Sequence, residues 1–490
     1  MIIGYDIGSS FIKVALVEAA TGKTLGVVQY PAAPMEIVAK QADWAEQSPA
    51  MWWENVCLAT QKLLAKTEVS PTAIKGIGIA YQMHGLVVVD KTKEVLRPAI
   101  IWCDSRAVNI GQQAFMEIGE EQCLSHLLNS PANFTASKLK WVQENEPDIY
   151  AKIDKILLPG DYIALKMTDE ACTTIQGLSE GMLWDFRAHE PAQFLLDYYQ
   201  FDPALIPKYA GAIGKQGQLT PDAAEAMGLV AGIPVTYRAG DQPNNALSLN
   251  VLQPGEVAAT GGTSGVVFGV NDRTIIDEKG LVNAFAHVNH TKKQSRIGTL
   301  LCINGAGIQY SWLRQLLTTD GISYDEMEKQ ASTIPIHSDG LHILPFGNGA
   351  ERMLSNKNVK AHILNIQFNR HRRAHFYRAA LEGIAFSFVY GMEVMKNNEH
   401  EVKTMRVGND NLFQSTIFAE TIVHLMNCKI EIFDTTGAIG AAKAAGVAIG
   451  LYASIEEAMG TTLPIKIYEP NREEGAYRAA FSAWKEDLKT

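Results

Sequence analysis

The first eighteen residues contain two apolar runs separated by a short polar turn. Residues 2–5 are mostly apolar, residues 6–10 read Asp-Ile-Gly-Ser-Ser, and residues 12–17 are largely apolar again. Apolar runs that flank a Gly- and Ser-containing turn predict a β-hairpin. The tip of such a hairpin carries small side chains and free backbone N–H groups, which can surround a phosphate. The same pattern is typical of an ordinary N-terminal hairpin, so it does not by itself decide between the two interpretations.

Four side chains of this hairpin are candidates for phosphate or metal binding. Asp6 leaves the first strand beside the tip, where its carboxylate can hold a hydrated Mg²⁺ ion. Ser9 and Ser10 supply hydroxyl groups at the tip. Lys13 on the second strand can place a positive charge near a phosphate.

A second hairpin of the same kind occurs half a chain later. Residues 256–270 read EVAATGGTSGVVFGV, with Gly262 and Thr263 at the tip. Internal repetition indicates duplicated architecture, and two such hairpins predict a nucleotide held between two related domains. At this point the chain resembles the actin-like ATPase superfamily, which includes sugar kinases, hexokinases and Hsp70-type chaperones.

Helical spacing and further apolar runs place the remaining candidates. A helix is predicted from Pro49 to Lys66, with Ser48 as its N-cap. A buried strand over residues 74–80 leads to Met83 and His84, and this histidine taken alone is more typical of a structural residue.

A strand near residues 99–101 ends in Trp102 and Asp104. An aromatic ring and a carboxylate at the carboxyl end of a strand suit a polyol, because the ring packs on carbons and the carboxylate accepts hydroxyl hydrogens. The alternative is a surface ion pair between Asp104 and Arg106.

Asp241 has two compatible interpretations. It follows a strand and a glycine and precedes Pro243 and an apolar helical stretch, which is typical of a helix N-cap. It is also a carboxylate between the two predicted domains, where a kinase needs a group that takes the proton of the acceptor hydroxyl.

Length and composition indicate a two-domain globular protein. The chain has 490 residues, 47% of them hydrophobic and 20% charged, too long for one core. The domains are predicted at residues 1–243 and 244–490. A net charge of −10 without a basic block argues against nucleic acid or an anionic membrane as a partner. No apolar run approaches the roughly 18 residues that span a bilayer. Six cysteines without metal-type spacing suggest a reduced, cytoplasmic protein.

Several short motifs, in order along nearly the whole chain, resemble the FGGY carbohydrate kinases. They are DIGSS at residues 6–10, WAEQ at 44–47, QMHG at 82–85, LRPAIIWCDSR at 96–106, GD at 240–241 and GTSG at 262–265. Each motif alone is weak, whereas their order and spacing are specific. The QMHG element and the run that follows favour the members that act on xylulose over those for glycerol, gluconate or ribulose.

This resemblance implies an α/β fold with two actin-like, ribonuclease H-like ATPase domains and a cleft between them. It implies phosphoryl transfer from ATP and Mg²⁺ to D-xylulose, giving the 5-phosphate, and a homodimer. Asp241 would be the general base. The sugar contacts would be Met83 and His84.

The same resemblance assigns the remaining candidates to the nucleotide and its metal. Asp6 would lie near Mg²⁺, and Thr263 near the γ-phosphate. Asn304 would lie on the nucleotide side, while Gly408 and Asn409 would border the adenine pocket.

Two departures from the family pattern affect the nucleotide side. The glycine run of the adenosine motif is reduced here to Gly408, and the loop at residues 349–353 reads GAERM where the family has SGERTP.

Three alternatives to a xylulose-specific kinase stay open at this point. They are a kinase for another ketose, polyol or sugar acid, a nucleotide switch on the actin-like fold, and a sugar sensor that binds without turnover.

Overall fold

The computed structural model describes residues 1–273, 280–318, 321–396, 402–409, 411–471 and 474–489. The strands and helices below are those of this part of the chain.

The first half begins with the predicted hairpin and ends at the helix that contains Asp241. Its strands are β1 Ile2–Ile7, β2 Ile12–Val17, β3 Thr24–Tyr30, β4 Glu46–Gln47, β5 Gly76–Tyr81, β6 Val87–Val89, β7 Ala99–Ile100, β8 Lys155–Leu157, β9 Cys172–Thr174, β10 Trp184–Asp185, β11 Glu190–Pro191, β12 Lys208–Ala210 and β13 Val235–Gly240. Its helices are α1 Pro49–Thr67, α2 Val108–Ile118, α3 Glu120–His126, α4 Thr135–Asn145, α5 Pro147–Tyr150, α6 Pro159–Thr168, α7 Ile175–Glu180, α8 Gln193–Tyr199, α9 Pro221–Met227 and α10 Asp241–Ser248.

The second half begins with the second predicted hairpin. Its strands are β14 Val257–Gly261, β15 Gly265–Asn271, β16 Asn283–Ala286, β17 Ile297–Ile303, β18 His342–Phe346, β19 Lys360–Leu364, β20 Thr404–Gly408, β21 Lys429–Phe433 and β22 Lys466–Tyr468. Its helices are α11 Gly307–Leu317, α12 Tyr324–Ala331, α13 Arg373–Lys396, α14 Thr416–Met426, α15 Gly437–Ala448, α16 Ile455–Gly460 and α17 Glu474–Asp487.

Both predicted hairpins are confirmed. β1 pairs antiparallel with β2, and β14 pairs antiparallel with β15. The helix predicted over residues 49–66 is α1, and the Ser48 hydroxyl accepts from the Met51 N–H as its N-cap.

The two large sheets share one strand order, so the duplication extends well beyond the hairpins. The first sheet has the order β13-β5-β1-β2-β3. The second contains β21-β20-β14-β15-β17, extended by β22 at one edge and β16 at the other. Corresponding neighbours are parallel or antiparallel in the same sense. Each half is therefore one copy of the same mixed sheet, as expected of the actin-like fold.

Two helices join the halves. α10 follows the last strand of the first sheet and packs against β14 of the second sheet. α15 follows β21 of the second sheet but packs against β1 and β5 of the first. This approach is close, because a Cβ added at Gly4 would lie 2.0 Å from the Ala438 carbonyl oxygen and 2.3 Å from the Ala442 nitrogen. The chain thus crosses between the halves a second time through α15.

Candidate active site

The Asp241 carboxylate lies where the first sheet ends. β13 is buried along its length and stops at Gly240, which is the N-cap residue of α10. The prediction that Asp241 is the N-cap is therefore wrong by one residue, because the chain already has helical geometry at Asp241. The helix end still favours a negative charge at this position.

The environment of Asp241 raises the pKa of its carboxyl group. Burial is the main cause that raises its pKa to about 7, and the neighbouring Asp6 raises it further, while hydrogen bonds from Gln242 oppose the shift. Burial also raises the pKa of Asp6, against the opposing charge of Lys13. A base is most effective when its pKa lies near the working pH, so Asp241 is suited to accept a proton near neutrality.

The first hairpin brings Asp6 to this carboxylate. Asp6 and Lys13 are directly opposed across β1 and β2, so their side chains share one face of the sheet. The N-terminus of α15 lies against the same carboxylate, since a Cβ added at Gly437 would be 2.9 Å from Asp6 Oδ2. Ser9 and Ser10 form the partly exposed tip, as predicted.

His84 lies on the first-half side of the site in a constrained position. Its Nδ1 is 3.0 Å from the Glu180 carbonyl oxygen, which can only accept, so Nδ1 carries the hydrogen and Nε2 has a free lone pair. Burial and the Lys138 ammonium lower the pKa of the ring to about 3, and the imidazole is therefore neutral. A neutral ring with Nε2 unprotonated can accept a hydrogen bond from a hydroxyl group.

Met83 packs under the turn that carries Asp241. A Cβ added at Gly240 would lie 2.5 Å from Met83 Cγ and 3.3 Å from Glu180 Oε2. The predicted sugar residues and the candidate base are thus adjacent in the fold, although His84 and Asp241 are 157 positions apart in the sequence.

The Asp104 prediction requires a correction. Its side chain is fully buried, accepts from the Ala45 N–H at 2.6 Å and forms an ion pair with Arg106 at 2.7 Å. Arg106 lies 3.7 Å from the Trp44 ring centroid and 4.7 Å from that of Trp141. Both Asp104 oxygens are used in this cluster, so Asp104 holds the loop instead of offering a carboxylate to a sugar. The pair with Arg106 is buried and not on the surface.

Trp102 has a different environment. Its side chain is 52% exposed, and its Nε1–H lies 3.5 Å from Ser9 Oγ at the tip of the first hairpin. A large exposed ring beside the phosphate-type tip remains available to a ligand.

The second hairpin forms one wall of a cavity of ≈ 430 Å³. The start of α11 is bound to its tip: the Gly307 N–H donates to the Gly262 carbonyl and the Ile308 N–H to the Thr263 carbonyl, each at 3.0 Å. α12 supplies another part of the wall through Tyr324 and Glu328, and the volume of the cavity suits a nucleoside.

Gly408 and Asn409, predicted to border the adenine pocket, lie just before one part of the cavity wall. Among the described residues, this part of the wall is formed by Leu412, Gln414 and Ser415. The Asn409 N–H donates to the Phe433 carbonyl, and the Asn409 carbonyl accepts from the Gln414 amide at 3.4 Å. The contact of Gly408 and Asn409 with adenine stays a prediction.

Asn304 is bound to the loop at residues 348–351. Its side-chain amide donates to the Ala350 carbonyl at 2.7 Å, and its backbone N–H donates to the Glu351 carboxylate. Burial raises the pKa of Glu351 to about 7. Asn304 therefore anchors the loop that departs from the family sequence.

β16 of the second sheet reaches the histidine of the first half. The Phe285 ring centroid lies 5.2 Å from that of His84, and Phe134 lies 4.7 Å from it on another side. Asn129 makes hydrogen bonds of 2.6 and 3.0 Å with the backbone of Ala284. Both halves therefore contribute to the surroundings of His84.

Glu180 is a site residue that the sequence does not reveal. It ends the short helix α7, in a hydroxyl-rich stretch that is typical of a loop, and its side chain is only 2% exposed beside His84. The only sequence signal is a carboxylate within a run of small residues, Ser179-Glu180-Gly181.

Family models match both halves of the chain. Residues 1–248 match the N-terminal domain of the FGGY family of carbohydrate kinases, and residues 257–449 match its C-terminal domain. The chain belongs to the FGGY family of carbohydrate kinases. It is therefore a sugar kinase, with the two-domain actin-like fold of that family.

Two solved structures and one curated relative illustrate the similarity of this FGGY kinase to known proteins. The xylulose kinase of Bacillus subtilis is 28% identical over 93% of this chain and 90% of its own. The structure of the xylulose kinase from Rhodospirillum rubrum has a TM-score of 0.90, 22% identity and coverage of 100% of this chain and 98% of that one. A gluconate kinase structure from Lactobacillus acidophilus scores 0.89 at 21% identity, covering 99% and 97%. Such structural likeness shows the shared fold and does not separate the sugars.

The helices of the structure bear on the prediction that no segment of the chain spans a bilayer. Within the described residues, no helix combines the length and apolar character needed to cross a bilayer.

Proposed function

We propose that this FGGY kinase transfers the γ-phosphoryl group of ATP to the terminal hydroxyl of D-xylulose, giving D-xylulose 5-phosphate. The observation that carries the proposal is the Asp241 carboxyl group, whose pKa of about 7 and position beside Asp6, Met83 and the His84 loop suit a general base. The choice of xylulose is supported by the curated relative named above, which covers most of the chain.

In the proposed mechanism, the acceptor hydroxyl oxygen attacks the γ-phosphorus and the bond to the bridging oxygen of ATP breaks. The hydroxyl proton passes to Asp241, while neutral His84 accepts a hydrogen bond from another sugar hydroxyl through Nε2. Met83 and the exposed Trp102 ring would pack on the carbon face of the sugar. Because the acceptor oxygen gains nucleophilicity as its proton leaves, the base acts in the same step as the transfer.

The two hairpin tips would hold the phosphates of ATP. Ser9, Ser10 and Lys13 would act from the first half, and Gly262 and Thr263 from the second. The cavity of ≈ 430 Å³ at the second tip would take the adenosine, with Asn304 anchoring the adjoining loop.

A hydrated Mg²⁺ ion fits beside Asp6. Burial raises the pKa of both Asp6 and Asp241, and the charge of Asp6 raises the pKa of Asp241 further. A cation bound beside them would offset this unfavourable negative charge. One or two carboxylates and substrate phosphates are the usual protein-side ligands of this ion. When bound, it supplies positive charge that stabilises the transferring phosphoryl group.

The remaining sequence predictions form part of this proposal. They are a division into domains at residues 243 and 244, a cytoplasmic location and a homodimer.

An ATP-consumption assay with a panel of ketoses, polyols and sugar acids tests the function. We expect the highest kcat/KM for D-xylulose, with mass spectrometry identifying its 5-phosphate. A preference for ribulose, glycerol or gluconate would assign a different sugar to the same chemistry. Sugar-independent ATP hydrolysis without a phosphorylated product would favour the nucleotide switch, and sugar binding without turnover would favour the sensor.

Replacing His84 by alanine should raise the KM for the sugar about tenfold or more, with a smaller effect on the KM for ATP. The sugar hydroxyl that bonds to Nε2 loses its partner, which costs on the order of 1–3 kcal/mol. Steady-state kinetics with each substrate varied in turn measure the effect.

His84→Asn is the matched control for backbone strain at this position. His84 has φ of 62°, a left-handed conformation that asparagine tolerates better than alanine. The asparagine variant should keep most of the stability and still bind the sugar weakly. An unchanged sugar KM in both variants, with only a lower Tm, would make the histidine structural.

Sugar and nucleotide together should compact the protein more than either ligand alone. The sugar residues Met83 and His84 lie in the first half and the second hairpin tip in the second, so transfer requires the halves to approach and exclude water. The hinge is expected near residues 239–245. Small-angle scattering of the free, singly and doubly liganded protein, with a non-hydrolysable ATP analogue, measures the change. Identical profiles in all states would contradict closure.

A further inference from the structure

Glu180 contacts His84 through two separate groups. Its side-chain Oε2 accepts the His84 backbone N–H at 3.2 Å, and its own carbonyl oxygen accepts the ring Nδ1–H at 3.0 Å. The first bond fixes the backbone of the histidine and the second fixes the orientation of the ring. No other described residue is hydrogen-bonded to both the backbone N–H and the ring of His84.

The backbone of His84 needs this support. Its φ of 62° lies in the left-handed region, which is uncommon for residues other than glycine. Lys138 holds the following peptide by donating to the His84 carbonyl at 3.0 Å. The bond from Glu180 Oε2 holds the peptide before it, so the residue is fixed from both ends.

The same oxygen also contacts the turn that leads to the candidate base. Glu180 Oε2 lies 3.3 Å from the position of a Cβ at Gly240, the residue before Asp241. Met83 Cγ lies 2.5 Å from the same position. The Glu180 carboxyl group is thus packed between the sugar-side loop and the strand end that carries Asp241.

We propose that Glu180 is a positioning residue of the sugar site: its carboxyl group holds the His84 backbone and sets the spacing between His84 and the Gly240–Asp241 turn. This role rests on the proposed kinase function. Glu180 does not touch the substrate, and it acts through the position of the histidine ring.

The chemical state of Glu180 gives the test a conservative variant. Burial, together with the negative charges of Asp241 and Asp161, raises the pKa of Glu180 well above its ordinary value. Glutamine has nearly the same shape as glutamate and keeps a side-chain acceptor oxygen for the His84 N–H. Aspartate keeps the acid but withdraws the acceptor by one methylene.

The experiment compares Glu180→Ala, Glu180→Asp and Glu180→Gln with the wild type, using D-xylulose as the sugar. We expect Glu180→Ala and Glu180→Asp to raise the sugar KM about tenfold or more, because the His84 backbone loses its acceptor. The KM for ATP should stay within about twofold. Glu180→Gln should restore the sugar KM to within about threefold of the wild type.

Thr174→Ala is the matched control for destabilisation of α7. The Thr174 hydroxyl caps this helix by accepting the Gly177 N–H at 2.9 Å, and Thr174 and His84, both within the described residues, share no hydrogen bond. Its loss should lower the Tm and leave the sugar KM within about twofold. If Thr174→Ala raises the sugar KM as much as Glu180→Ala, the effect belongs to the helix and the proposal is wrong.

Two further outcomes would contradict the positioning role of Glu180. An unchanged sugar KM in a folded Glu180→Ala protein contradicts the positioning role, as does a glutamine variant that is as impaired as alanine. If Glu180→Ala does not fold, the comparison of the aspartate and glutamine variants gives the same answer. Calorimetric titration with D-xylulose ranks the variants without turnover.

Different results contradict the proposed kinase function and the positioning role of Glu180. A wild-type protein that phosphorylates none of the sugars in the panel contradicts the kinase assignment. A wild-type protein that phosphorylates a sugar while Glu180→Ala keeps its KM contradicts the positioning role alone.

Discussion

Replacing Asp241 by asparagine should lower kcat by about 10²–10⁴-fold while the protein stays folded and binds the sugar. This is the range that a general base contributes to a reaction. Asparagine keeps the size of the side chain and an acceptor oxygen, but it cannot take the proton of the acceptor hydroxyl. Because Asp241 is not the N-cap of α10, the substitution also removes no helix cap. Rapid-mixing kinetics of phosphate transfer and calorimetry with the sugar measure the two quantities.

The pH profile gives an independent readout of the same role. The pKa of Asp241 is about 7, so the fraction in the basic form falls as the pH drops below this value. Wild-type kcat/KM, which reports the ionisation of the free enzyme, should therefore decrease about tenfold per pH unit below this value, and the asparagine variant should lose this dependence.

Asp222→Asn is a suitable control for the loss of one negative charge at a helix start. Asp222 is exposed in the first turn of α9, away from the site. It should leave kcat and the pH profile of kcat/KM unchanged. A folded Asp241→Asn protein with kcat near the wild-type value would rule out Asp241 as the base.

Replacing Gly4 by alanine should destabilise the protein by about 3 kcal/mol, at the upper end of the cost of overpacking. The added Cβ would lie 2.0 Å from the Ala438 carbonyl oxygen and 2.3 Å from the Ala442 nitrogen, and both atoms belong to the backbone of α15. A backbone cannot rotate away as a flexible side chain can, so the helix must move off the first sheet. For a domain of this size the Tm should fall by about 6–12 °C, as measured by calorimetry.

The same substitution should also lower activity, because α15 begins at the Asp6 carboxylate. Gly475→Ala is the control, since nothing lies within 4 Å of a Cβ added at this exposed helical position. Alanine favours helix over glycine, so the control should be neutral or slightly stabilising. An equal Tm for Gly4→Ala and the wild type would show that α15 is not packed as closely as described.

The local pattern of apolar and polar residues determined the secondary-structure elements that lie nearest to the candidate active site. The two hairpins follow from apolar runs around small-residue turns, and α1 follows from its spacing and its Ser48 cap; all three are confirmed. These features depend on residues close in sequence, so the chain specifies them without reference to distant partners. The order of the short motifs predicted the family, which the family models confirm.

Tertiary contacts decided the roles of residues whose contact partners lie far away in the sequence. The motif at residues 96–106 suggested a sugar contact for Asp104, but that carboxylate is buried in an ion pair with Arg106, which lies against the rings of Trp44 and Trp141. The residues that line the cavity beside the second hairpin, Leu412, Gln414 and Ser415, could likewise not be identified from the sequence.

The sequence by itself thus determined the duplicated hairpins, the two-domain class and the candidate base Asp241. Only the tertiary structure placed Glu180 behind His84 and brought α15 from the second half onto the first sheet. The physical reason is the same in both cases. A buried carboxyl group and a glycine contact acquire their roles from atoms far away in the chain, and the local sequence does not specify which atoms these are.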